Sequence, residues 1–495
     1  MELMYKSTRD QGDFITSSEA IIKGLSDYGG LFVPTNIPKI HKEIDKLIDF
    51  NYKELALYIL KKFLTDFKEK DLIDCIEKAY DDKFDTEEIA PVCKKGENFF
   101  LELYHGPTLA FKDMALSILP HLLKSALKKN KITKEVVILT ATSGDTGKAA
   151  LEGFANVEGI KIIVFFPKEG VSDIQKRQMI TQKGDNTYVI GIEGNFDDAQ
   201  NAVKEIFNNE VYNQLLNKNN YILSSANSIN IGRLIPQIVY YFYAYLKMIK
   251  SKSIKKGEKI NVVVPTGNFG NILAAYYAKE MGFPINKLIC ASNENNVLYD
   301  FIKTGIYDKN RSFKITSSPS MDILISSNLE RLLYYISGKN EEVVLDLMND
   351  LKVDGKYEIG DNMRIKMKDF YGGFASQLQT SNCIKEVYDN FKYVIDPHTA
   401  VAYSVYKTYK NETKDITKTV IVSTASPFKF TNSVCSSIGI NVEGKDDFQL
   451  IDELSKECEI NIPKGIEDLK NRKVFHKDIC KKEEIKDAIN RFLKV

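Results

Sequence analysis

The residue with the most chemistry within reach is Lys112, in the segment His105-Gly-Pro-Thr-Leu-Ala-Phe-Lys112-Asp113-Met-Ala. Leu109-Ala-Phe111 precede it and Met114-Ala-Leu116 follow, so an ammonium group there has almost no polar company. Burial penalises the charged form of a lysine and pushes it toward the neutral amine. A neutral amine is the species that condenses with a carbonyl to form an imine. The competing reading places Lys112 on the solvent face of its helix, where most lysines sit. A second segment, Pro265-Thr-Gly267-Asn268-Phe269-Gly270-Asn271, follows an apolar run and opens a helical one. Such a turn offers unpaired backbone N–H groups and the positive end of a helix dipole. Its glycines let an oxyanion approach closely, which makes it a candidate phosphate cradle. It matches neither G-x-G-x-x-G nor G-x-x-x-x-G-K-[ST], and a plain strand-to-helix turn remains the alternative.

Four further segments carry polar groups at the ends of apolar runs. Thr142-Ser143-Gly144-Asp145-Thr146-Gly147-Lys148 sets hydroxyls and amides at a helix start, where a carboxylate would fit. A triphosphate loop is rejected, because Thr142 stands where the first glycine is needed and Ala149 where a magnesium-holding hydroxyl is needed. Simple helix capping by Asp145 or Thr146 is the alternative. Ser423-Thr424-Ala-Ser-Pro427 places hydroxyls beside the presumed cleft, and a neutral hydroxyl facing a ring nitrogen leaves it largely unprotonated. A polar strand terminus would look the same. Ser224-Ser-Ala-Asn227-Ser-Ile-Asn230 with Arg233 is the next cluster. Asp396-Pro-His398-Thr399 reads as a structural N-cap with proline at the first helical position, and His398 as a minor site candidate.

The elements that must position these groups follow from hydrophobic periodicity. Apolar runs predict strands at 135–140, 161–166, 187–192, 221–224, 261–264, 287–290 and 420–423. Between them, helical patterns cover 146–154, 172–181, 196–207, 233–249 and 272–281. Continuous apolar strands separated by helices mean parallel sheets covered on both faces, so the fold class is α/β with two such domains, over about 130–230 and 258–430. Ligands of such sheets sit at the carboxyl ends of the strands, where the segments above fall. Residues 1–100 read as a mixed, mostly helical cap, with one helix over 44–64 and a turn at Gly29-Gly30 into a short strand ending at Pro34. Residues 310–382 are less regular and suit an insertion or lid, and the last 50 residues read as charged and helical.

Bulk composition excludes several classes. The 495 residues are 43% hydrophobic and 27% charged with a net charge of +1, so no overall field favours nucleic acid or an anionic membrane. Seven dispersed cysteines without C-x-x-C spacing and five scattered histidines suggest reduced thiols and no metal site. No apolar run reaches the length of a membrane span, and the N-terminus lacks an apolar leader core. The expectation is a cytoplasmic protein acting on a small molecule, with neither nucleic acid nor membrane as partner.

Taken together, the motifs resemble the threonine synthase family of pyridoxal-phosphate enzymes, of the tryptophan-synthase-β fold type. The stretch from His105 to Asp113 is similar to the family's Schiff-base lysine motif, 265–271 to its cofactor phosphate loop, 142–147 to its substrate-carboxylate loop and 423–427 to its ring-nitrogen segment. Tyr5-Lys-Ser-Thr-Arg9 and 29–34 are similar as well, and the resemblance spans about 5–430. It departs at Phe428, where a small residue is usual. The resemblance implies pyridoxal 5'-phosphate linked to Lys112, which then serves as general base. Its phosphate would be held by Gly267, Asn268, Phe269, Gly270 and Asn271, and its ring nitrogen by Thr424. The substrate carboxylate would be held by Thr142, Ser143, Gly144, Asp145 and Thr146, with Asn227 and Arg233 on cofactor or substrate phosphate. The implied reaction is that of a carbon–oxygen lyase: O-phospho-L-homoserine and water give L-threonine and phosphate. The alternatives are a phospholyase or hydroxy-amino-acid dehydratase of the same fold, or a silent paralogue. The implied organisation is a cap over 1–98, a large cofactor domain over 99–128 and 240–495, and a small carboxylate domain over 129–239, in a monomer with a dimer as the alternative.

Overall fold

Apolar side chains on both faces of consecutive strands build two parallel sheets. The computed structural model describes residues 2–495 except 13, 27, 28, 41–43, 143, 169, 170, 195 and 208. The larger sheet has six strands in the order Phe370–Phe374, Ile285–Ser292, Ile260–Pro265, Thr419–Ser423, Asn98–Glu102 and Val92–Lys95. Every neighbouring pair is parallel except the last, which is antiparallel. Val262, Val264, Val420, Val422, Phe99 and Leu101 face one apolar cluster, and Val263, Ile421, Phe100 and Ile289 face another. That alternation is the period-two geometry of a strand buried on both sides. The smaller sheet runs Asp478–Lys481, Thr187–Glu193, Ile160–Pro167, Glu135–Ala141 and Tyr221–Ser224, all parallel.

The expected division of the chain needs two corrections. The final residues, expected within the large domain as featureless helix, instead supply the edge strand Asp478–Lys481 and the helix Ile485–Leu493 to the small sheet. Cys480, Ile485, Ala488, Ile489 and Leu493 are buried there with Val137, Leu139, Ile190 and Ile192, which would otherwise face water. Conversely Val92–Lys95, assigned to the cap, zips onto the edge of the large sheet.

Locally, the expected helix over 44–64 is two, Ile44–Leu47 and Tyr52–Phe63. Asn51 breaks it, because its side chain accepts from Glu54 N at 3.0 Å while Glu54 reaches back to Asn51 N at 2.8 Å. The strand Phe370–Phe374 was hidden by its own glycines. A Cβ at Gly373 would lie 2.5 Å from Val405 Cγ1, so a bare backbone is what lets the strand pack onto helix Pro397–Thr413. Phe428, the departure from the family pattern, is buried in the core beside the large sheet. Among the described residues, no helix is long and apolar enough to cross a membrane.

Candidate active site

The lysine segment is held by a strand end and by its own polar residues. After strand Asn98–Glu102 the chain turns at Leu109, whose φ is 62°, and enters the short helix Asp113–Leu116. Phe111 N donates to Thr424 O at 2.8 Å and Ser426 N to Leu109 O at 3.0 Å, so the two distant motifs are stitched backbone to backbone. Asp113 accepts from Thr108 N at 2.8 Å and Thr108 Oγ1 at 2.6 Å, which closes the turn. Gly106 has no room for a side chain, since a Cβ would sit 2.5 Å from Asp113 Cβ. Burial pushes the Asp113 carboxyl up to about 6.

This frame buries Lys112, as expected. Its side chain is 10% exposed, and Nζ lies 3.0 Å from Ser320 Oγ and 3.4 Å from Asp145 Oδ2. Burial pulls the ammonium below its ordinary range, the Asp145 carboxylate opposes this, and the cations Lys429 and Arg233 add to it.

Asp145 is not the helix cap that its position suggested. It opens helix Asp145–Phe154 from the first position inside, and its side chain points to the cluster instead of to backbone amides. Lys429 Nζ lies 2.8 Å from Oδ1, and Gln175 Nε2 donates to the same oxygen at 2.8 Å. Burial alone would raise this carboxyl, but Lys429 and Lys112 overcome it and hold the group well below the usual carboxylate range. Thr142 is the brace of the loop before it, since Oγ1 accepts from Gly144 N at 3.0 Å and Gly147 N at 2.9 Å. Gly144, at φ 146°, leaves no room for a side chain, since a Cβ there would lie 2.6 Å from the Gln175 amide. Thr146 is half-buried one residue into the helix, and Ser143 lies outside the described residues.

The candidate phosphate loop occupies the carboxyl end of strand Ile260–Pro265 and opens helix Gly270–Glu280. Phe269 is buried with φ 62°, a left-handed turn that directs Gly270 into the helix. Asn268 O accepts from Asn328 N at 3.1 Å and Asn328 Nδ2 at 2.9 Å. Asn271 Oδ1 accepts from Tyr240 OH at 2.8 Å and from Tyr241 OH, while its buried Nδ2 has no partner. Thr424 is buried at the end of strand Thr419–Ser423. Asn227 lies in the loop after Tyr221–Ser224, its N–H donating to Ser225 Oγ at 3.1 Å. Arg233 is buried, donates from Nη1 to Ala226 O at 2.9 Å and leaves Nε unpaired. Burial pushes its guanidinium down to about 10.

Several members of the cluster had escaped sequence reading. Lys429 is 1% exposed, yet it lies in the apolar string Pro427-Phe428-Lys429-Phe430, and the rule that singled out Lys112 would have found it. Ser320 and Gln175 carry no such signal. The segment 316–328, part of the expected lid, seats on the phosphate loop: Ser326 Oγ donates to Gly267 O at 2.7 Å. The N-terminal motifs anchor that segment, because Arg9 pairs with Glu330 through Nε at 2.8 Å and Nη2 at 2.6 Å. Arg331, fully buried, donates to Phe32 O at 2.9 Å.

A buried amine at the carboxyl edge of a parallel sheet, beside a glycine-opened anion cradle, defines a pyridoxal-phosphate-dependent enzyme, and residues 93–351 match the family model of that description. Residues 4–80 match the model "Threonine synthase N terminus" and 399–489 the model "Threonine synthase, C-terminal". The chain belongs to the threonine synthase family. It is 36% identical over 472 residues to threonine synthase of Saccharomyces cerevisiae, with 88% of this chain and 89% of the relative covered. It is 42% identical over 436 residues to human threonine synthase-like 1, with 86% of this chain covered; the chain spans 58% of that relative's length. The solved pyridoxal-phosphate-bound threonine synthase of Brucella melitensis superposes with a TM-score of 0.88 at 33% identity, and the yeast enzyme with 0.89 at 32%; both chains are covered to 99% or more.

The residues present fit the cofactor. Lys112 is buried with a depressed ammonium, and the unpaired Asn271 Nδ2 stands at the helix start that would take the phosphate.

Proposed function

We propose that this chain converts O-phospho-L-homoserine and water to L-threonine and phosphate, as a pyridoxal-phosphate-dependent carbon–oxygen lyase in threonine biosynthesis. The observation that carries the reading is Lys112: a buried amine pulled toward neutrality, within 3.4 Å of an aspartate kept charged by a second buried lysine. Pyridoxal phosphate, when bound, supplies the electron sink that makes substrate protons labile. Gly267, Asn268, Phe269, Gly270 and Asn271 would hold its phosphate and Thr424 its ring nitrogen. The hydroxyls and backbone N–H groups of Thr142, Ser143, Gly144, Asp145 and Thr146 would hold the amino-acid carboxylate, the Asp145 side chain staying with the lysines, with Asn227 and Arg233 on a phosphate.

Lys112 Nζ acts as general base at the substrate Cα, and returns that proton at the end. Between those events a Cβ proton leaves, phosphate departs from Cγ, a proton reaches Cγ and water adds at Cβ. Asp145 keeps Nζ aimed, and Lys429 keeps Asp145 ionised. The segment 316–328, resting on Gly267 and Asn268, would serve as the lid that admits water once and otherwise excludes it. Seven cysteines, all free, support a reducing cytoplasm. A monomer is the expected state, with a dimer as the alternative, and sedimentation separates them.

The 42% identity is to a protein named only threonine synthase-like, and the second reading is a phospholyase or hydroxy-amino-acid dehydratase of the same fold. Product analysis decides between them. Threonine and phosphate formed in equal amounts from O-phosphohomoserine support the synthase; 2-oxobutanoate as the main product overturns it.

A further inference from the structure

We infer that Ser320 is a further residue of the catalytic centre, its hydroxyl bridging the Lys112 amine to Asp145, and that the Asp396–His398 pair positions it through its main chain. The inference rests on the reading of Lys112 as the reactive amine. Ser320 Oγ accepts from Lys112 Nζ at 3.0 Å and donates to Asp145 Oδ2 at 3.4 Å, so it touches the amine and the carboxylate at once. Its carbonyl oxygen also lies 2.5 Å from where a Cβ on Gly267 would be, so this turn meets the lysine, carboxylate and phosphate motifs together.

The turn has few ways to drift. On one side Asp322, two residues on, gathers Asn293 Nδ2 at 2.7 Å, Asn295 Nδ2 at 3.0 Å, Thr316 N at 2.9 Å and Thr316 Oγ1 at 2.7 Å. On the other, Ser320 N donates to His398 Nε2 at 3.3 Å. An imidazole nitrogen that accepts an amide proton must be bare, so the proton of the ring sits on Nδ1, where Asp396 Oδ2 accepts it at 2.6 Å. Asp396 is itself immobilised as the N-cap of helix Pro397–Thr413, accepting from His398 N at 2.9 Å and Thr399 N at 3.1 Å. Capping would need Asp396 alone. A buried imidazole that continues from the cap to the backbone of Ser320 has a second task, and the contact it makes names it.

The test uses the full chain stripped of cofactor and supplied with pyridoxal phosphate, following the rate at which the lysine-linked absorbance appears, with thermal melts run in parallel. Ser320→Ala is expected to slow capture roughly tenfold, the loss of a hydrogen bond to a charged group, with Ser320→Thr staying within about twofold of the parent. His398→Ala, which never touches Lys112, is expected to slow capture comparably, and His398→Gln to restore most of the rate by returning an acceptor. Parent-like rates in both alanine variants overturn the inference, as does slowing that follows the melting temperature and is not rescued by threonine or glutamine. If Lys112→Ala still forms the linkage, the underlying assignment of the amine fails instead, and the two failures are told apart.

Discussion

At the scale of single residues, the site is a problem in placing charge where water is scarce. Two lysines, an aspartate and an arginine share the cluster, and each ammonium that leans on Asp145 relieves part of its own desolvation. Replacing Lys112 removes a costly buried cation while Lys429 still neutralises Asp145. Lys112→Ala is therefore expected to abolish the absorbance near the visible–ultraviolet border without lowering the melting temperature by more than a few degrees, read by spectrophotometry and thermal melts. His105, just upstream, offers a pH-dependent counterpart. Burial lowers its proton affinity, but Asp85 at 2.5 Å and Glu102 at 2.8 Å prevail and raise it to about 9. A folded value above the unfolded one, near 6.5, means the stabilisation is complete below about pH 6.5 and disappears as pH rises through about 9. Urea denaturation at pH 6 and pH 9.5 should show a loss on the order of 2 kcal/mol in the parent and a much smaller change in His105→Gln.

At the scale of elements, close backbone approach decides how the motifs meet. Helix Asp145–Phe154 carries Gly153 where a Cβ would lie 2.1 Å from Leu116 O, at the end of the helix that begins beside Lys112. The two helices that present Lys112 and Asp145 are thus set against each other through that glycine. Gly153→Ala should destabilise by about 1–3 kcal/mol or more and also weaken cofactor capture, because separating the helices separates the ion pair. Gly159→Ala is the comparison: unlike helical Gly153 it has a positive φ of 77°, but it has open space around it, so only a conformational cost of about 1 kcal/mol is expected. Chemical denaturation of both variants checks the difference.

At the scale of the whole molecule, sequence-distant ends support the two sheets. The N-terminal pair of strands, Tyr5–Ser7 and Phe32–Pro34, is tied to the site through Thr8 and Arg9 on Glu330 and through Arg331 on Phe32 O, which anchor the segment lying on the phosphate loop. The C-terminal strand and helix close the outer face of the small sheet. Deleting 478–495 would uncover Ile190, Ile192 and Leu139 and open a strand edge. Limited proteolysis of that truncation should give new cleavage within 129–239 while the large sheet stays resistant, and an unchanged digestion pattern would contradict the assignment.

What the amino-acid string determined unaided is whatever local pattern encodes: seven strands, six of them interior and Tyr221–Ser224 at a sheet edge, the glycine-opened turn at 267–270, and a lysine isolated among apolar residues at 112, while the interior strand Asn98–Glu102 escaped it. Burial, strand period and turn chemistry act between neighbours, so they leave a readable trace. Tertiary structure alone decided the partners. Ser320 meets Lys112 across 208 residues, Lys429 finds Asp145 from the far end of another strand, and the last strand joins a sheet begun at 135. Nothing at Ser320 or Asp478 distinguishes it locally from a surface residue. Its role arises from which backbone the folded core brings against it, and that depends on packing among segments no short window contains.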